Sequence, residues 1–228
     1  RVPLFVALGL VVLAAVAVVV ALWLRDLSIR KDIQEARQAA SMDTIQGLES
    51  AVQQMSQMAQ RHGGRQDVQA ARAYVLALKA HRYGPLQPSL DEARKALERT
   101  GPEKGGELFY AARALVLLAQ GDPDGALASL ESVPADLSRV DEIRMTRLRS
   151  QIGAGQSLEA RVELELMAVK DEPHLPAVTL LGKLRHSLGD LDGARLLLGK
   201  TLKDHPRRLE ASVELALVLV DTGTDETL

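Results

Sequence analysis

The chain has no cysteine, which removes disulfide frameworks and thiolate metal sites from consideration and leaves the compartment open. Aromatic residues are scarce, at 3% of 228 residues, so leucine, valine and alanine must fill any core. Neither charge sign dominates: 28 Lys and Arg against 30 Asp and Glu give a formal charge of −2. That balance offers no basic field for nucleic acid and no acidic tail. No strand pattern persists, whereas every recognisable element has helical period, which places the chain in the all-α class. The heavy use of alanine, leucine and arginine suits a GC-rich bacterial genome.

Catalytic and metal patterns are missing too. His62, His81, His174, His186 and His205 are scattered without the paired spacing of a helical zinc site. His174 and His205 fall in turns, where a histidine caps a helix or faces solvent. Gly101 to Gly106 has the glycines of a phosphate loop but lacks its Gly-Lys-Ser/Thr ending and follows a helix, so it reads as a flexible connection. Glu163 and Glu165 read as solvated helix-face carboxylates, and Met42, Met55 and Met58 as pliable packing residues rather than ligands. The chain is expected to be no enzyme, with neither a cofactor nor a metal site.

A strict period is present. Gly121, Gly155, Gly189 and Gly223 recur every 34 residues, and Ala126, Ala160 and Ala194 follow the first three at five residues. Such a period marks helix pairs too small to bury their own apolar faces, which must stack on neighbours. The clearest unit runs from Leu175 to Pro206. Its first helix carries Val178, Leu181, Gly182 and Leu188, and Gly189 closes the turn. Asp190 is an N-cap, the second helix has the inner stripe Ala194, Leu197, Leu198, Thr201 and Leu202, and Pro206 stops it.

In length and marked positions this unit resembles the tetratricopeptide repeat (TPR), through Gly182, Gly189, Ala194 and Pro206. The unit before it matches through Gly155, Ala160, Leu164, Met167 and Pro173. An earlier one matches through Tyr110, Ala114, Leu117, Gly121, Ala126 and Leu130, with Pro134 arriving early. The last segment has Leu215, Ala216 and Leu219 in first-helix places and reaches Gly223. Arg113, Arg147 and Arg185 depart from the family, standing where large apolar or aromatic residues are usual. A degenerate pair, Val68 to Tyr83 and Ser89 to Thr100, precedes the array, and Ser89 to Glu92 reads as a capping box opening its second helix. The units are 66–106, 107–140, 141–174, 175–208 and a half unit 209–228. Arrays need capped ends, so the chain reads as a cut from a longer protein. The resemblance implies an α-solenoid of antiparallel helix pairs, and segment 66–228 is expected to be soluble and helical.

Val2 to Leu24 is a run of 23 residues with no charged or polar side chain. As a helix it reaches roughly 34 Å, enough for a bilayer core of about 30 Å. Trp23 and Arg25 suit an interface. A cleaved signal peptide competes through Ala15-Val16-Ala17, but seven more apolar residues follow. A buried helix of a globular domain is the other alternative. One transmembrane helix over 2–24 is the reading adopted. Arg25, Arg30, Lys31 and Arg37 follow the run, interleaved with Asp26, Asp32 and Glu35; this visible bias would put the repeats in the cytoplasm, but only Arg1 is seen on the other flank, so it leaves orientation open. Analogy with single-span bacterial TPR proteins implies the inner membrane with periplasmic repeats. Residues 25–65 carry two stripes, Ile29, Ile33, Ala36, Ala40 and then Ile45, Leu48, Val52, Met55, Ala59. They read as a helical linker or capping hairpin, with a coiled coil as the alternative. His62 to Arg65 breaks the second helix.

In the family the first helix of each pair lines a concave groove, and its ninth position points inward. Those positions hold Leu115, Arg149, Lys183 and Leu217, and His186 lies one turn beyond Lys183. Arg149, Lys183 and His186 are expected to form a basic strip flanked by Leu115 and Leu217, suited to an acidic or C-terminal peptide carboxylate. The competing reading is a set of solvated residues on an unused surface. The family's chaperone clamp requires asparagine at the ninth position, where none stands. The resemblance implies a membrane-tethered adaptor that recruits a protein or peptide partner to a multiprotein envelope machine, of the secretion, assembly or motility kind. An alternative is the sensory part of a larger receptor or kinase with a catalytic domain upstream of residue 1.

Overall fold

Three chain reversals share one hydrogen-bond pattern, and that pattern sets the repeat. The computed structural model describes residues 2–42, 44–84, 87–169 and 174–223, the side chains of 2–12 and of Gln87 excepted. Eleven helices follow one another there, and no strand occurs among the described residues. They are α1 (Val2–Ser41), α2 (Ile45–Arg61), α3 (Gln66–Tyr83), α4 (Gln87–Glu98), α5 (Pro102–Ala119) and α6 (Pro123–Glu131), followed by α7 (Asp141–Gly153), α8 (Ser157–Ala168), α9 (Leu175–Ser187), α10 (Leu191–Asp204) and α11 (Leu209–Asp221). At the end of α5, Gly121 N–H donates to the Leu118 carbonyl at 3.0 Å and Asp122 N–H to the Leu117 carbonyl at 3.0 Å. The same two bonds recur at Gly155 and Gln156, and at Gly189 and Asp190. This C-cap needs a left-handed residue, and the three glycines have φ of 79°, 80° and 80°.

The residue after the glycine then starts the next helix. Asp122 accepts from Gly125 N–H at 2.8 Å and Asp190 from Gly193 N–H at 3.0 Å, each satisfying an orphan donor. Ala126, Ala160 and Ala194 are fully buried where the two helices of a pair converge. In the α9–α10 pair a Cβ on Gly182 would stand 2.6 Å from Leu198 Cδ2, so any side chain there requires Leu198 to shift. Buried clusters link each helix to its neighbours: one joins Met145 and Leu148 to Leu164 and Leu181, another joins Ala194 and Leu198 to Val218. The result is a solenoid-like all-α body. Arg185 stands beside Glu165 at 3.6 Å, and Arg113 is exposed, so these arginines face outward or across to a carboxylate.

The N-terminal part is a hairpin. α1 runs unbroken through the apolar run into the first arm, and α2 returns along it. Thr44 caps α2 by accepting from Gly47 N–H at 3.0 Å. Ile29, Ile33, Ala36 and Ala40 are buried against Leu48, Met55 and Met58, and one cluster joins them to Val68, Val75 and Leu115. Ile45, expected in this stripe, is exposed, and so is Met42.

Two local expectations are corrected. α4 begins at Gln87, so Ser89 lies inside it and no capping box opens there. Gly101 to Gly106 is no loose connection: Gly101 caps a helical turn that continues into α5 through a kink at Gly106, φ 55°. Pro173, Asp43, Arg1 and 224–228 lie outside the described residues. Among the described residues no helix is long and apolar enough to cross a membrane, and the expected span begins in side chains that are not described. From Leu13 to Leu24 every side chain of α1 is exposed on all faces.

Candidate functional site: a closed concave side and its cleft

The first helices of the pairs converge instead of lining an open groove. Arg37 of α1 pairs with Glu107 of α5 at 2.9 Å and with Glu142 of α7 at 2.7 Å. Arg82, at the end of α3, donates to the Ala40 carbonyl at 3.0 Å and stands 3.5 Å from Glu210 of α11. These ties bring the start of the array against its end, so the broad basic strip expected there is corrected to a cleft. The cleft lies between the end of α3 and the helices α7, α9 and α11, and holds about 180 Å³.

Of the five candidate partner residues, two meet in it. Arg149 of α7 is half-buried and Lys183 of α9 is exposed, and both line the cleft. Leu115 is 0% exposed inside the hairpin core, so it has no surface to offer a partner. His186 turns away to α11, where Nδ1 lies 2.6 Å from Glu214 Oε1 and Nε2 lies 2.8 Å from Asp221 Oδ2. These carboxylates hold its pKa above the ordinary value, and an imidazolium bonded to both has no N–H left for a peptide. Leu217 is exposed on α11 but is not among the residues lining the cleft.

Two residues that sequence reasoning passed over complete the wall. His81 of α3 is pushed down to about 3, first by burial and then by the positive charges of Arg149, Lys183 and Arg82, against the opposing pull of Glu210. Its ring is therefore neutral at physiological pH. Thr179 of α9 is 4% exposed, and its hydroxyl makes no hydrogen bond among the described residues. The other buried Ser and Thr hydroxyls among the described residues bond back along their helices, as Thr146 does to Glu142 at 2.7 Å, Ser150 to Thr146 at 2.9 Å and Thr201 to Leu197 at 2.8 Å. An unmade bond at a buried hydroxyl costs about 1–3 kcal/mol. Pro176, Leu180, Leu209 and Val213 supply an apolar side. The α11 carboxylates are engaged elsewhere, Glu210 beside Arg82 and Glu214 on His186.

Elsewhere, a wider cavity of about 740 Å³ lies between the α1–α2 turn and the starts of α7, α9 and α11. Its His174 is a helix cap, accepting from Ala177 N–H at 3.3 Å. Among the described residues no group of three His, Asp or Glu side chains comes together as a metal site. No family model, no curated protein and no solved structure matches the chain.

Proposed function

We propose that this chain is a membrane-tethered scaffold of the TPR kind, in which an N-terminal helix fixes a helical array beside a bilayer and the array holds a protein partner. The observation that carries the reading is the join between two opposite surfaces. α1 is one helix whose apolar side chains, from Leu13 through Leu24, are exposed on every face, yet from Ile29 onward it is packed into the body. A helix apolar all round is at home in a protein core or a bilayer, and this arm has no core around it. With the uncharged residues 2–12 ahead of it, the run has the length of a span. Arg25, Asp26 and Arg30 then begin the aqueous part within two turns of Trp23. The 34-residue period, the glycine C-caps and the small contact at Gly182 support the TPR assignment. Single-span bacterial TPR proteins make the inner membrane, with periplasmic repeats, the expected setting.

The test is fractionation with alkaline carbonate. The full chain is expected to stay with the membrane pellet and a form lacking residues 1–24 to be released. Release of the full chain would refute the tether. Partner holding is tested at Lys183, which is exposed and whose reversal to glutamate is expected to weaken crosslinking to the bound partner in cells. Exposed changes of this kind shift stability by within about 0.5 kcal/mol, so folding is not an explanation for the loss.

A further inference from the structure

We infer that the cleft between α3, α7, α9 and α11 is a binding site for one carboxylate carried on a small apolar group, with Arg149, Lys183, Thr179 and His81 in its polar lining and Leu180 and Val213 in its apolar lining. The source of that acid is the terminal residue of a partner chain or a free aliphatic acid, since both present the same chemistry. This deepens the scaffold reading and rests on it for the chain-end source only.

Four observations converge. The size comes first: about 180 Å³ lies below the roughly 300–1,000 Å³ of sites for drug-sized ligands, so the occupant is one residue or a fragment of that bulk. The second is the Thr179 hydroxyl, the one buried Ser or Thr hydroxyl among the described residues with no hydrogen bond, on a residue that lines this cleft. Buried polar groups in native proteins are paired, and an acceptor brought by a ligand would pair this one. Third, the His81 ring makes no hydrogen bond among the described residues. Its neutral ring, held so by burial and by surrounding cations, can donate one N–H to an anion without needing a proton from solvent. Fourth, Lys183 makes no ion pair among the described residues, whereas the carboxylates on the facing helix are already engaged. An incoming carboxylate therefore meets donors in the cleft lining, and its carbon skeleton meets Leu180, Leu209 and Val213 in the same lining.

The experiment is calorimetric titration of the full chain in detergent with three probes: N-acetyl-leucine, N-acetyl-leucinamide, and a hexapeptide ending in leucine with a free C-terminus. At least one of the two acids is expected to bind, and the amide about tenfold more weakly or not at all, because it loses the charge-assisted bonds. Lys183→Gln is expected to weaken the acid about fivefold or more with unchanged melting, since the side chain is exposed. Thr179→Val, which keeps the shape and removes the hydroxyl, is expected to weaken it as well. A hexapeptide that binds well above N-acetyl-leucine identifies a chain end, and equal affinities identify a free acid. Equal binding of acid and amide, no binding of either acid, or a Lys183→Gln protein that binds like wild type would overturn the site. Failure of the scaffold reading looks different: carbonate would release the chain while N-acetyl-leucine still bound.

Discussion

At the scale of single residues, Gly182 carries the tightest contact of the clearest repeat. Gly182→Leu forces side-chain atoms into Leu198, whose Cδ2 already lies 2.6 Å from where a Cβ would sit. Overpacking of this kind costs about 1–3 kcal/mol, so thermal melting followed by circular dichroism is expected to fall by several degrees. A melting point equal to wild type would contradict the packing. Two histidines give opposite pH dependences. His186 is raised above 6.5 first by its bond to Glu214 and then by that to Asp221, so the native state holds its proton more tightly than the unfolded chain does. That stability is present in full below pH 6.5 and is lost as pH rises through the native value. His81 is lowered to about 3, so its contribution is full above pH 6.5 and shrinks as pH falls from 6.5 toward 3, where the unfolded chain takes up a proton that the native ring refuses. In urea unfolding, His186→Gln is expected to flatten the loss above pH 6.5. His81→Leu is expected to reduce the loss between pH 6.5 and 4.5. Unchanged slopes in both variants would show that these rings do not couple to folding.

At the scale of elements, the hairpin of α1 and α2 is part of the first core rather than an accessory. Val68, Val75, Leu76 and Leu78 of α3 are buried in one cluster with Ile29, Ile33, Leu48 and Met55. Cutting at residue 66 uncovers that surface, so 66–228 is expected to bind a hydrophobic dye and melt below 25–228, although both remain helical. Equal melting would show that the hairpin adds nothing. α1 is also tied to the middle of the array by Arg37, one guanidinium shared between α5 and α7. Arg37→Met leaves Glu107 and Glu142 without it, and the loss of charge-assisted bonds partly open to water is expected to cost about 1–3 kcal/mol. Faster amide exchange in α1 and α7, with α10 and α11 unaffected, is the signature to measure.

At the scale of the whole molecule, the chain is an exposed helical arm followed by a body that curls back on itself. Small rotations from one pair to the next add up along a solenoid, and here they bring α3 within ion-pair distance of α11. That curvature turns a groove into a cleft and leaves the outer helices as the broad exposed surface. Leu158, Val162, Leu166 and Val169 make an exposed apolar row on the outside of α8, at helical spacing. The arm before Ile29 contributes nothing to the buried core, so the proposed tether is separable from body folding: removal of residues 1–24 is expected to abolish carbonate-resistant retention without changing helicity from α2 onward. Loss of helicity across the body in that form would show that the arm is part of the fold.

The sequence by itself determined the helical class, the 34-residue period, the glycine turns and the aspartate caps. Each of these rests on bonds between residues no more than five apart, such as Asp190 N–H to the Arg185 carbonyl, and such bonds follow from local residue types. The apolar run of α1 was equally plain, because it is a property of composition. Which side chains meet across the array was decided only by the tertiary structure. Leu115 and Lys183 occupy equivalent places in their repeats, yet one is buried under the hairpin and the other lines the cleft. His186 looked like part of a basic strip until α11 brought Glu214 and Asp221 to it. His81 and Thr179 carry no local signal, a lone histidine and a helical threonine separated by nearly a hundred residues. Their meeting depends on the summed curvature of every pair between them, and no window of sequence contains that sum.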